Sequence, residues 1–198
     1  MPPWWLLGIG FTHVQILSQY AGSGLFHGMA GLPVSTDVAW FVGMGANILV
    51  LLACGAVFRG PRLDRLKRLL APSIILNIVG FLLSVWPTGV TANDDPVALL
   101  GAIALGMGQA IMFLLWADVF NRAKIEEAEI ALPLSSLVVL AYAVVVPLLP
   151  ASLNGIPMLV APLASGATLY LYFQRLPVAQ ACEKAVAIEG SRPHSMVK

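Results

Sequence analysis

At 198 residues the chain has the length of a single domain, yet 59% of it is hydrophobic and 11% charged, against about 45–50% and about 25% in soluble domains. So apolar a chain cannot cover its own surface with polar groups and must be solvated by lipid. A net charge of +1 argues against a nucleic-acid-binding face, which needs an excess of Lys and Arg, and the isolated Cys54 and Cys182 suit neither a metal spacing nor a disulfide.

The N-terminus, Met-Pro-Pro-Trp-Trp, lacks the positive charge of a secretory signal, so the first apolar run reads as a retained span. A spanning helix needs about 17–25 predominantly apolar residues. Six stretches qualify: 5–26, 38–58, 69–86, 97–120, 132–149 and 156–173. Their short connections make successive helices antiparallel neighbours and leave no room for a soluble domain between them. The expected architecture is an all-α membrane protein: a six-helix transmembrane bundle over residues 1–174, then a tail at 175–198 that reads as partly disordered.

Charge orients the spans. Residues 59–68, Arg-Gly-Pro-Arg-Leu-Asp-Arg-Leu-Lys-Arg, hold five of the eleven Lys and Arg residues. Basic residues concentrate in cytoplasmic loops, so this loop is expected inside. Alternation then places Arg122 and Lys124 inside, together with Arg175, Lys184, Arg192 and Lys198 of the tail. The outer loops, 27–37, 87–96 and 150–155, carry Asp37, Asp94 and Asp95 and no basic residue. One choice of sign satisfies every loop and makes both termini cytoplasmic. Trp4, Trp5, Trp40, Trp86 and Trp116 fall near expected helix ends, as a belt of interfacial indoles does; Tyr170 and Tyr172 sit similarly at the inner end of helix six.

Polar side chains inside a membrane are costly and mark candidate sites. On helix one, Gly8, Thr12, Gln15, Gln19 and Gly22 recur at steps of three and four and share one face. That face suits either a cavity wall or close interhelical packing. Helix four carries Ala102, Gly106 and Ala110, a stripe of small residues that more often means close packing than a pore, with Gln109 beside it and Gly101 and Gly108 thinning the helix further. Asn47 and Asn77 read as interhelical hydrogen-bonding amides, and His13 as a satisfied structural histidine with a proton or ligand site as the alternative. Pro133 and Pro157 are expected in first turns, where a missing N–H is harmless, and Pro147 and Pro162 in helix interiors. No paired carboxylates fall within the expected spans, and no His-x-x-Glu-His, Cys-x-x-Cys or Gly-x-Ser-x-Gly pattern occurs, so neither an enzyme, a metal centre nor a cofactor is expected. Asp118 is the only acid within an expected span, one turn before Arg122, a spacing suited to an i,i+4 ion pair.

The loop after the second span resembles the loop 2–3 signature of the major facilitator superfamily, Gly-x-x-x-Asp-Arg-x-Gly-Arg-Arg/Lys. Gly60, Asp64, Arg65 and Arg68 occupy matching positions, while Lys67 and Leu69 depart from it. The resemblance implies the N-terminal six-helix half of such a transporter, built as two three-helix repeats. It implies a small-molecule cavity between helices one and four, lined by Thr12, Gln15, Gln19 and Gln109. It also implies a conformational latch in which Gly60, Asp64, Arg65 and Arg68 engage Asp118. The glycine- and methionine-rich helix four, running into the inner loop, is similar to the membrane part of LuxR-type bacterial regulators. Those regulators carry a helix-turn-helix domain with no counterpart here, so no nucleic-acid partner is expected of this chain alone. The implied setting is the cytoplasmic (inner) membrane, with the lipid bilayer as partner and a second copy or a partner half completing the transporter. A non-transporting sensor or interaction module, and a substrate-binding subunit of a vitamin uptake system, are the alternatives.

Overall fold

Apolar runs bounded by charge and proline become helices. The computed structural model describes residues 4–20, 37–57, 67–84, 96–145, 148 and 156–190, and among these the chain is helical apart from short turns, with no strand. A 3₁₀ turn at Trp4–Leu7 leads into α1 (Gly8–Tyr20), followed by α2 (Asp37–Val57), α3 (Leu70–Ser84), α4 (Pro96–Arg122), α5 (Ile125–Val145) and α6 (Ile156–Gly190). Pro96 opens α4, where its missing N–H has no helical partner to lose, and Arg122 closes it, a cation at the negative end of the helix dipole.

Four of these helices contain stretches long and apolar enough to cross a membrane: Val38–Ala56, Pro96–Arg122, Ile125–Val145 and Ile156–Arg175. α3 is apolar but shorter, and α1 spans 13 residues beyond its 3₁₀ turn. A chain with several such helices is a multi-pass membrane protein.

Three features differ from the sequence reading. α5 begins at Ile125 rather than 132, so only Ala123 and Lys124 separate it from α4. The carbonyl of Lys124 accepts the first helical bonds, from the amides of Glu127 and Ala128 at 3.0 Å. Glu126 and Glu127 sit in the first turn, where acids complement the positive end of the dipole. This places Pro133 inside α5 rather than in its first turn, where its absent N–H leaves the carbonyl of Glu129 without a helical donor. α6 continues to Gly190 where the sequence reading stopped at 173, because the Ala-, Glu- and Lys-containing tail favours helix. Finally, Trp116 is enclosed by the bundle rather than presented at its surface. It is 0% exposed, whereas Trp4 is 45% exposed, because α4 runs on past Trp116 to Arg122 and seats it in the core. Trp86, Pro147 and the loop at 59–66 lie outside the described residues.

α4 is the hub. It packs along α3 and α2, while α1 packs on α6 and α5, and α3 crosses α6. Contacts give the directions. Gly8 meets Trp116 while His13 meets Phe113, so α1 and α4 run antiparallel. Ser73 reaches Gly108 while Ser84 lies by Gly101, so α3 and α4 do too. Half of the α4 span is buried against 11% for the α2 and α5 spans. α2 and α5 therefore turn most of their surface away from the bundle, with Phe41, Leu49, Leu52, Leu137 and Leu140 outward.

Candidate functional site

The small and polar residues of α1, α3, α4 and α6 converge on a buried seam. In one branch, the indole Nε1–H of Trp116 donates to Ser165 Oγ at 2.8 Å, and Ser165 Oγ is also 2.8 Å from Thr12 Oγ1. These bonds tie α4 to α6 and α6 to α1. In the other, Gln15 Nε2 donates to Asn77 Oδ1 at 2.7 Å and Asn77 Nδ2 to the Ser73 carbonyl at 2.8 Å. Ser73 Oγ in turn donates to the Gly108 carbonyl at 3.2 Å. Thr12, Gln15, Ser73, Asn77, Gln109 and Ser165 are each at most 1% exposed. Polar groups at such depth persist because each hydrogen bond spares an expensive orphan in an apolar medium.

Glycines make the seam close. A Cβ at Gly108 would stand 2.7 Å from Asn77 Nδ2, and one at Gly8 would press on Thr168 and, at 2.5 Å, on the Trp116 ring. Only a hydrogen at these positions lets the amide and the indole reach their partners.

The expected site residues divide as follows. Thr12 and Gln15 enter the two branches of the seam, through Ser165 and Asn77. Gln109 is buried on α4, and the side chain of Gln19 lies outside the described residues. Of the loop residues, Gly60, Asp64 and Arg65 lie outside the described residues and Arg68 is exposed. Asp118 is held on its own helix by a two-pronged bond from Arg122, at 2.9 and 3.1 Å, the i,i+4 pair that the spacing suggests. Asn77 is an interhelical amide as read from the sequence, whereas Ser73 and Ser165 were not singled out. The four-residue step from Ser73 to Asn77, which puts both on one face of α3, was the available signal.

The seam is neutral: no carboxylate, Lys, Arg or His contributes to its described hydrogen bonds. It can hold helices together, or exchange its internal bonds for those of a neutral polar solute. His13 stands apart. Its Nδ1 lies 3.0 Å from the Ile9 carbonyl and its ring meets Phe113 edge-on. It borders an open groove of about 720 Å³ between α1 and α5. At the end of the bundle that holds Trp4, the Arg175 guanidinium stacks over Trp5 at 4.8 Å and Trp4 at 5.9 Å, and the Lys67 ammonium lies 5.8 Å from the Phe173 ring.

Replacing Gln15 by Leu orphans Asn77 Oδ1 and is expected to lower stability by about 1–3 kcal/mol. Adding Asn77→Leu should recover part of that loss, since the orphan is then gone. Unfolding midpoints in detergent for the two single variants and the double variant check this; strict additivity of the two losses would show that the bond carries no coupling.

No family model matches the chain, and no curated protein or solved structure does.

Proposed function

We propose that this chain is a half-transporter of major facilitator type, built as two inverted three-helix repeats that bind or move a small neutral molecule between α1 and α4. One observation supports this reading: buried positions and close helix contacts recur at a nearly constant spacing along the chain. A shift of 92 residues carries the buried positions Ala39 and Gly43 of α2 onto Ala131 and Ser135 of α5, which are buried too. The same shift carries Ser73, Asn77 and Phe81 of α3 onto Ser165, Leu169 and Phe173 of α6, all of them buried. A shift of 96 carries Gly10 onto Gly106. Each glycine faces a backbone carbonyl of the equivalent neighbour, Ser135 for Gly10 and Gly43 for Gly106. Gly166 packs on Ile74 at the α3–α6 crossing, and the 92-residue shift exchanges these two residues, as expected of a contact on the axis. The antiparallel course of α1 and α4 suits repeats of opposite orientation, an architecture that places substrate at the repeat interface.

In this reading six helices cross the cytoplasmic membrane with both termini inside, and Thr12, Gln15, Gln19 and Gln109 supply the polar contacts. Asp64, Arg65 and Arg68 compete with Arg122 for Asp118 and latch one state. Two copies, or this chain and a partner half, complete the pathway. The satisfied bonds of Thr12 and Gln15 also suit a second reading, a sensor or interaction module that moves nothing.

Two measurements test the first reading, its topology and its assembly. In a chain with Cys54 and Cys182 changed to Ser, a cysteine at Asp64→Cys should react with an impermeant maleimide only in inverted vesicles, and one at Asp94→Cys only in right-side-out ones. Labelling of both from one side would overturn the topology. Copy counting in lipid nanodiscs should give two chains per disc, and a stable lone monomer that co-purifies with no partner would remove the half-transporter.

A further inference from the structure

The groove between α1 and α5 is lined by His13 from α1 and by Leu132, Pro133, Ser135, Ser136, Val139, Leu140 and Ala143 from α5. Its volume, about 720 Å³, falls within the range of about 300–1,000 Å³ typical of small-molecule pockets. It lies outside the polar seam, and none of its lining residues carries a formal charge other than a protonated histidine. Leu132, Pro133, Ser136, Leu140 and Ala143 are exposed on a helix of membrane-spanning character. The groove therefore opens sideways toward lipid.

Its hydrogen-bonding character is one-sided. A backbone carbonyl can only accept, so the proton between His13 and Ile9 belongs to Nδ1. In the neutral ring Nε2 is then a lone-pair acceptor, and among the described residues it has no partner. Ser135 Oγ donates to the Leu132 carbonyl at 2.7 Å, and Ser136 Oγ points to the same carbonyl at 3.5 Å. Pro133 has no N–H to offer, and the remaining lining side chains are apolar. Every side-chain donor in the groove is thus directed at the chain's own backbone, while the imidazole nitrogen and the serine lone pairs remain to accept.

From this complementarity we propose that the α1–α5 groove is a binding site for a neutral, membrane-soluble molecule carrying an O–H donor on an apolar body, with His13 Nε2 accepting its hydrogen bond. A charged amine is disfavoured, because no carboxylate lines the groove to balance it. A lipid acyl chain would fill the volume but leave Nε2 unpaired. The site does not depend on whether the chain transports anything.

The test uses the full chain in phosphatidylcholine nanodiscs, with 1-naphthol as probe and 1-methoxynaphthalene as the same ring system without the donor. ¹⁵N-histidine spectra report the Nε2 environment, with the His13 signal assigned by its loss in His13→Phe. Naphthol should bind saturably and move the His13 Nε2 signal, and the methoxy analogue should bind about tenfold more weakly, as loss of one buried hydrogen bond predicts. His13→Phe should erase the difference between probes. Val139→Trp, which fills the groove, should abolish binding of both, while Leu137→Trp, outside the lining, should not. Equal binding of the two probes to the unaltered chain would mean a groove for lipid chains and overturn the proposal. So would an unmoved Nε2 signal at naphthol saturation, and so would undiminished naphthol binding in a folded Val139→Trp.

Discussion

Gly106→Ala separates α2 from α4. A Cβ on residue 106 would land on the carbonyl oxygen of Gly43, with the carbonyl carbon at 2.9 Å and Cα at 3.2 Å. All three obstructing atoms are backbone, so no side-chain rotation can relieve the clash and the helices must move apart. Overpacking of this kind costs about 1–3 kcal/mol, occasionally more, and Gly106→Val should exceed the alanine variant. The internal control lies on the same helix pair. A Cβ at Gly45 or Gly55 of α2 meets nothing within 4 Å, so alanine there should be neutral or stabilise by up to about 1 kcal/mol through helix propensity. SDS-titration midpoints of the three alanine variants should therefore split, with Gly106→Ala far below the others. Three equal midpoints would mean that α2 is not held at this crossing.

Much of the fold was legible because lipid imposes a simple rule on composition. α2, α3 and α4 lie within two residues of where the apolar runs placed them, since each run is bounded by charge or proline. The start of α5 was not legible. Glu126, Glu127 and Glu129 resemble a polar loop, yet acids in a first turn favour the helix, and hydropathy alone does not register that. The extension of α6 was hidden in the same way, by a mixed composition that forms helix without being apolar. The polar face of α1 was visible from the spacing of Thr12, Gln15 and Gln19. Its partners were not, because Ser165 and Asn77 are distant in sequence and meet α1 only once the helices pack. The recurrence of buried positions 92 residues apart was equally hidden, because it pairs Gly43 with Ser135 and Asn77 with Leu169, so burial recurs where identity does not.

Trp116 distinguishes a core from an interface, and its removal has the largest expected effect. An interfacial tryptophan trades one side of its ring with headgroups and water, and its truncation is mild. Trp116 is 0% exposed. Its ring packs against the open face of Gly8 and 6.2 Å from Phe120, and its N–H is bonded to Ser165. Trp116→Ala should therefore cost about 3–5 kcal/mol, as truncation of buried aromatics does, by emptying the space where α1, α4 and α6 meet. Trp116→Phe keeps most of the ring and loses only the donor. Ser165 Oγ retains Thr12 as a partner, so that variant should lose about 1 kcal/mol. The wide gap between the two variants, read from unfolding midpoints in detergent, is the signature of a packed node. Trp4→Ala, at a residue 45% exposed, serves as the interfacial reference. If Trp116→Ala proved no more harmful than Trp4→Ala, α4 would be rotated or shifted from the position that builds the seam, and the contacts of Thr12 and Ser165 would fall with it.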